Sequence, residues 1–243
     1  MKNIVFLFVS LMCVGCAQLK EYFNPSTMYT LSEEEIRLTR QYNLIKMRRD
    51  ANYDSVRTFV EKHPNEYQSL LNRFIEGKDT LTLDEMRLVY YGYSFTKDYD
   101  PYNAYLDIQN KYLEKDYISV YPRCVEALKK NPVSLVLLGM ACHSGEYCTN
   151  DEDVLFNYLF RYNLIASTIL ASGTGETEKD AFKVICVPDE YEVIGGLFQG
   201  KFKEHTSIQS GFCDVHNVVS NDSTSHIYFD ISRFYPDFIP EGE

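Results

Sequence analysis

The stretch Ala127-Leu-Lys-Lys-Asn-Pro-Val-Ser-Leu-Val-Leu-Leu-Gly-Met-Ala-Cys-His-Ser-Gly-Glu-Tyr147 decides the fold. Asn131-Pro132 ends one helical segment, and a mostly apolar run then extends from Val133 to Cys142. A run of this length suits a buried helix and is too short for a membrane span, which needs about 20 residues. Gly139 and Ala141 are small, so a neighbouring helix can approach closely. The stretch therefore predicts two helices packed as a pair.

Three short motifs in this stretch resemble the tetratricopeptide repeat. They are the helix ending Ala-Leu-x-x-Asn-Pro132, the helix motif Leu-Gly-x-Ala141 and the turn Gly-Glu-Tyr147. A fainter copy lies at 91–94. Pro122 falls inside one expected helix, and the linker lengths and spacing differ from those of the repeat. The resemblance implies degenerate antiparallel helix pairs and no regular array.

Helix signals extend on both sides of this pair. Ser32 with Glu35 and Thr82 with Glu85 form two predicted capping boxes, each followed by an apolar stripe. Pro64 and Gly77 mark helix ends. The turn-rich segment 96–103 predicts a loop. Helices are predicted at about 31–50, 53–62, 67–77, 82–93, 117–130, 133–143 and 151–171.

The pattern changes after Gly173 and Gly175. Residues 181–187 are rich in β-formers, residues 189–198 suit a short helix, and two strand-like runs follow at about 203–219 and 225–234. We therefore predict an α+β fold. A mainly helical domain would span 31–172, and a small α+β unit with a short antiparallel sheet would span 176–243.

The first sixteen residues predict an exported lipoprotein. Lys2 precedes an apolar run from Ile4 to Val14, and Gly15-Cys16 follows. We expect residues 1–15 to be a signal peptide, Cys16 to carry the lipid and residues 16–30 to form a tether. Ordinary secretion after Ala17 is the alternative. Since Ala17 is not the aspartate typical of inner-membrane retention, we expect an outer-membrane anchor that faces the periplasm or the exterior.

Charge and motifs argue against several partners and cofactors. The chain has 24 basic and 35 acidic residues, a formal net charge of -11, which repels nucleic acid and anionic lipid. Gly195 to Lys201 fits most of a phosphate-binding loop, but Phe202 replaces the hydroxyl residue that would bind magnesium. We predict no nucleic acid, no nucleotide and no cofactor, and membrane contact through the lipid anchor only.

No catalytic or metal site is predicted. Four possible metal ligands fall on adjacent putative strands, but only one pair among them has ligand spacing. They are His205, Cys213, His216 and His226. Hydrolase motifs such as G-x-S-x-G and H-E-x-x-H are absent from the sequence. The acidic pair Asp189-Glu190 receives no role, because acidic pairs are common in an acidic protein.

Tyrosines form the one candidate binding surface. Nine of the 20 tyrosines fall between Tyr90 and Tyr121. A tyrosine ring joins an apolar face to a hydrogen-bonding tip, which suits peptide or sugar recognition. Packing between helices is the alternative. The candidate residues are Tyr91, Tyr93, Tyr99 and Tyr102.

Several segments resemble an uncharacterised family of Gram-negative secreted proteins, domain of unknown function 4919. They are Leu-Val-Tyr-Tyr-Gly-Tyr93 with Asp-Tyr-Asp-Pro-Tyr102, the segment 173–187, and Ile-Tyr-Phe-Asp-Ile231. The resemblance implies secretion and architecture and assigns no activity. Our leading hypothesis is a lipid-anchored, non-enzymatic scaffold of the cell envelope that binds a protein or peptide. The alternative is an envelope hydrolase or binding protein that acts on glycan or peptide.

Overall fold

The computed structural model describes residues 53–77, 81–198, 204–220 and 223–234, and these form an α+β fold. The expected signal peptide, Cys16, the tether and the helix at 31–50 lie outside the described residues. The helices are α1 (Tyr53–Lys62), α2 (Pro64–Glu76), α3 (Leu83–Tyr93), α4 (Leu106–Leu113), α5 (Tyr117–Lys130), α6 (Leu135–Gly145), α7 (Glu152–Leu170) and α8 (Val187–Phe198).

The helix boundaries follow the local signals. Helix α1 ends before Pro64, which begins α2. Gly77 ends α2 with φ 62, the left-handed conformation that glycine adopts without strain. At the start of α3 the Glu85 N–H donates to Thr82 Oγ1 (3.3 Å), and the Thr82 N–H donates to Glu85 Oε2 (2.8 Å). This capping box confirms the prediction for 82–93.

Helix α6 is the central element of the helical part. Its apolar residues from Leu135 to Cys142 are buried, and α5 and α7 pack against it. The prediction of a buried helix in this stretch is therefore confirmed. Among the described helices, none combines the length and the apolar character needed to cross a bilayer.

Helix α4 was not predicted from the sequence. It has eight residues, and Ile108 is its one buried side chain, so no apolar stripe marks it. Non-glycine residues with positive φ stand at both of its ends, Tyr105 (φ 51) and Lys115 (φ 62). This helix packs on α5.

The sheet has strands β1 (Phe182–Lys183), β2 (Glu204–Ser210), β3 (Cys213–Ser220) and β4 (Ser223–Asp230) in the order β1-β4-β3-β2. Strands β2, β3 and β4 are antiparallel, but β1 pairs with β4 in parallel, so the sheet is mixed where an antiparallel one was expected. The predicted single run 203–219 is a hairpin that turns at Gly211 (φ 60). Only two residues of 181–187 form a strand.

One hydrophobic cluster includes side chains from the helices and from the sheet. Phe74 and Tyr90 of the helices belong to the same cluster as Phe182 and Phe229 of the sheet, and all four are almost fully buried. The division at residues 172 and 176 stays an interpretation. A shared core places α8, with its acidic residues, between the helices and the strands.

Candidate functional site

Helix α8 places two acidic side chains in the interior and holds a third partly buried. It begins with Val187-Pro188, and proline suits the first turn of a helix. Asp189 and Glu190 follow in that turn, where the helix dipole favours negative charge, yet they are only 1% and 0% exposed. Because α8 packs against α6 and faces β3, these carboxyl groups lie away from solvent.

Glu190 is paired with His216 of β3. Glu190 Oε2 lies 2.7 Å from His216 Nε2, and both side chains are almost fully buried. The rings of Tyr191 and Phe229 stand edge-on to the imidazole, at 5.4 and 5.3 Å between centroids. Burial, together with the nearby acid Asp214, raises the pKa of Glu190 to about 9. One proton is therefore retained between the two groups at neutral pH.

Asp189 is held by Tyr90 of α3. The Tyr90 hydroxyl donates to Asp189 Oδ2 (2.6 Å) and accepts a hydrogen bond from the Ile185 N–H (3.3 Å). Burial raises the pKa of Asp189 to about 6, and the hydrogen bond from Tyr90 limits the rise. Asp189 Oδ1 makes no hydrogen bond of ordinary geometry in the described part of the chain. One buried carboxylate oxygen is thus left to be satisfied.

Glu192 is the third acid of α8, and its side chain is partly buried. The Tyr162 hydroxyl of α7 donates to Glu192 Oε2 (3.0 Å), and burial raises the pKa of Glu192 to about 7. Each acid of α8 therefore contacts a different element: Asp189 contacts α3, Glu190 contacts β3 and Glu192 contacts α7. These bonds attach α8 to three elements of the fold.

Asp189 also lines a small cavity. The space that a water molecule can occupy is about 10 Å³, and the whole cleft, including the part open to solvent, is about 220 Å³. The smaller space is the size of one water molecule. The lining residues are Tyr93, Tyr99, Asp100, Asn131, Val133, Ser134, Ile185, Cys186 and Asp189.

The four candidate tyrosines bond to main-chain carbonyls. Tyr91 and Tyr93 are 1% and 3% exposed. Tyr99 is half-buried, and Tyr102 is 68% exposed. The hydroxyl acceptors are Lys183 O for Tyr91 (3.3 Å), Asp98 O and Lys130 O for Tyr93 (3.0 and 2.9 Å), Ile185 O for Tyr99 (2.6 Å) and Phe234 O for Tyr102 (3.1 Å).

Three of these bonds join the helical part to the C-terminal part. Tyr91 and Tyr93 are closed to large ligands in this arrangement, whereas Tyr93 and Tyr99 border the cavity and Tyr102 is open to solvent. The binding role of the four tyrosines stays a prediction.

A second aromatic group lies at the surface of α4, α5 and α6. Tyr112 donates to His143 Nδ1 or accepts from it (2.6 Å), and the rings of Tyr117 and Tyr147 stack at 4.6 Å. His143 stands edge-on to the Tyr117 ring at 5.0 Å. We call this group, together with the exposed side chains of Leu113 and Ile118, the aromatic surface. The sequence does not show this group, because its members lie on three different helices and in the turn that follows α6.

The four possible metal ligands do not converge. His216 pairs in register with Ile227, whereas His226 pairs with Asn217, so the two histidines point to opposite faces of the sheet. His226 is exposed and lies 2.6 Å from Asn217 Oδ1. Cys213 Sγ lies 3.9 Å from the Glu178 carbonyl oxygen. The His205 side chain is not among those that the structure describes. Within the described ranges no three His, Cys, Asp or Glu side chains form a metal-binding group.

Within the described ranges, the glycine motif and the cysteines Cys142 and Cys148 bring no further chemistry together. Gly195 lies inside α8, and the residues after Phe198 in the motif are outside the described part. Cys142 is buried, Cys148 is exposed, and both are free thiols.

A family model, Domain of unknown function (DUF4919), matches residues 54–237. The chain belongs to the DUF4919 family. The match confirms the resemblance seen in the sequence, and it covers both the helices and the sheet of this DUF4919 chain. No curated protein and no solved structure matches it.

Proposed function

We propose that this DUF4919 protein is a lipid-anchored, non-enzymatic scaffold of the cell envelope that binds a segment of another envelope protein at its aromatic surface. The exposure of apolar side chains there carries the proposal. Leu113 is 77% exposed, Ile118 76% and Tyr147 58%. Tyrosines with exposed aliphatic neighbours are typical of protein interfaces.

The setting of the aromatic surface supports a docking role. Polar groups border it, including the Lys111–Asp116 ion pair (3.6 Å), as in the rim of an interface. Helix α4, which contributes Tyr112 and Leu113, has left-handed residues at both ends, and such strain is often retained at functional segments. The occupant that fits is a peptide segment with aliphatic or aromatic side chains.

The buried acids fit the hydrolase alternative less well. A carboxyl group that acts in hydrolysis must touch its substrate. Glu190 is closed from solvent, and Asp189 opens only on a cavity of water size. A glycan or a peptide chain does not enter such a space. The scaffold is therefore the function that this geometry supports best.

Changing the aromatic surface should weaken partner binding. A photo-crosslinking residue at Ile118 should capture a defined envelope protein, and the same residue at Ile208, 60% exposed on β2, should not. The triple variant Leu113→Ser, Ile118→Ser, Tyr147→Ser should then lower the affinity of the purified pair at least about tenfold, since a few anchor residues, tyrosine among them, carry most of the binding energy of an interface. Ile208→Ser is the matched control. Equal affinity of the triple variant, or self-association through this surface, would contradict the proposal.

The lipid anchor is tested separately at Cys16. Palmitate labelling of growing cells should mark the wild-type protein and should be lost in Cys16→Ser, because the lipid is attached to that thiol. The variant should also move from the membrane fraction to the soluble fraction. Equal labelling of both proteins would contradict the lipid anchor at Cys16. It would not bear on partner binding at the aromatic surface.

A further inference from the structure

We propose that the cavity beside Asp189 binds a primary ammonium group, from the lysine side chain of a polypeptide or from a small free amine. Two buried oxygens in the cavity wall carry this inference. Asp189 Oδ1 and Asn131 Oδ1 are both hidden from solvent, and neither has a partner at ordinary hydrogen-bond distance and angle among the described residues. Both residues line the same cavity. Buried acceptors of this kind require a donor, since an unmet one costs about 1–3 kcal/mol.

The protein itself supplies few donors to this space. The hydroxyl of Tyr99 already donates to Ile185 O, and that of Tyr93 donates to carbonyls outside the cavity. The side-chain amide of Asn131 hydrogen-bonds Tyr105, which directs its oxygen away from that contact. Ser134 accepts from the Leu137 N–H (3.4 Å) and keeps one rotating hydroxyl hydrogen. The Leu135 N–H and the weakly donating Cys186 thiol also reach Asp189, so its carboxylate is partly satisfied and Asn131 Oδ1 is not. A ligand with several donors would complete the hydrogen bonding of both side chains.

Size and charge select the ligand. The space of about 10 Å³ at the inner end of the cleft fits a head group of water size, which an ammonium group is and a guanidinium is not. An ammonium group has three donors and a positive charge, and it matches one carboxylate and one amide oxygen. Asp100 stands at the exposed mouth of the cleft and adds a second negative charge.

The part of the cleft between Tyr93 and Tyr99 suits the alkyl chain of an amine. The rings of Tyr93 and Tyr99 meet edge-on, with centroids 6.2 Å apart, and both border the cavity. Aromatic rings next to an acidic group attract cations through their electron-rich faces. Arg233 lies over the Tyr99 ring at 5.2 Å but is held by Ser94 and does not line the cavity. The ammonium position is therefore not taken by this arginine.

Titration of the full chain with n-butylammonium chloride tests the site. Binding is measured by NMR of isotope-labelled tyrosine rings. We expect saturable shifts at Tyr93 and Tyr99 in the wild-type protein. Asp189→Asn should weaken binding at least about tenfold because it removes the charge on the acceptor. Asp100→Asn should weaken binding less, and Glu192→Gln, a partly buried acid outside the cavity, should leave it unchanged.

Further probes distinguish the two sources of the ammonium group from each other, and an amine from a bare cation or a water molecule. Tighter binding of Nα-acetyl-lysine methylamide than of butylammonium would identify a lysine of a polypeptide, and equal binding would identify a small amine. Competition by potassium chloride at equal ionic strength would overturn the assignment in favour of a bare cation. Unchanged binding in Asp189→Asn, or amine-soaked crystals that hold one water between Asp189 and Asn131, would overturn it as well. None of these results depends on the aromatic surface.

Discussion

Gly173→Ala should destabilise the protein by about 3–5 kcal/mol, a large part of the 5–15 kcal/mol that typically stabilises a domain. A β-carbon at Gly173 would lie 2.3 Å from the Asp180 carbonyl oxygen and 2.5 Å from the Ala181 carbonyl oxygen. These are backbone atoms that cannot turn aside as a side chain can. Urea denaturation, monitored by circular dichroism, measures the change in the free energy of unfolding.

The effect is large because the displaced carbonyl holds the loop together. Asp180 O accepts hydrogen bonds from the Thr174 N–H (2.9 Å) and the Gly175 N–H (2.8 Å). Moving it away from a new methyl group weakens both bonds, each worth about 1 kcal/mol, in addition to the cost of overpacking, about 1–3 kcal/mol. The same loop leads from α7 into β1, so the damage reaches the shared core.

Gly195→Ala is the matched control. Gly195 lies inside α8, and a β-carbon there meets no atom within 4 Å. Alanine loses less backbone entropy than glycine in a helix, so this variant should gain about 0.5–1 kcal/mol. Equal stability of Gly173→Ala and wild type would contradict the close backbone approach between residues 173 and 180.

The sequence was sufficient for helices that have local end signals, such as α2 and α3. Pro64, Gly77 and the Thr82–Glu85 box act within one turn, and the structure uses each of them. Helix α4 has no side-chain cap and one buried residue, so its position depends on packing against α5. The parallel pairing of β1 with β4 depends on residues 47 positions apart, such as Phe182 and Phe229, which local patterns do not encode.

The candidate site was less predictable for the same physical reason. Asp189 and Glu190 were visible in the sequence, but their role depends on partners far along the chain, Tyr90 and His216. A useful local signal was present: acidic residues directly after Val187-Pro188 indicate the start of a helix. It gives no information on which elements cover that helix end, and burial is what changes the chemistry of these acids.

Stability should rise on going from pH 7.5 to pH 5, by about 3 kcal/mol or more, since one pKa unit corresponds to about 1.4 kcal/mol. Burial raises the pKa of Asp189 to about 6, of Glu192 to about 7 and of Glu190 to about 9. The folded chain therefore binds more protons than the unfolded chain above about pH 4.5. These groups stabilise the fold fully below that pH, and their contribution is lost as pH rises through the folded-state values.

The partly exposed acid Glu85 has the opposite effect on stability at lower pH. The Thr82 N–H, the first cause, and Arg73 lower the pKa of Glu85, so its contribution is present above about pH 4.5 and is lost as pH falls through its folded-state value. Maximum stability should consequently lie near pH 5. Urea denaturation at half-unit intervals between pH 4 and pH 8.5 measures the profile.

Glu190→Gln isolates the largest single contribution to the pH dependence of stability, because Glu190 has the largest rise in pKa. The amide keeps a hydrogen-bonding group 2.7 Å from His216 in place of the carboxyl oxygen and removes the titration. The variant should therefore equal or exceed wild type in stability at pH 8, and its free energy of unfolding should depend less on pH. Glu176→Gln changes the charge by the same amount at an exposed position and should keep the wild-type slope. If Glu190→Gln and Glu176→Gln share one pH profile, Glu190 is ionised in the folded chain and the retained proton is absent.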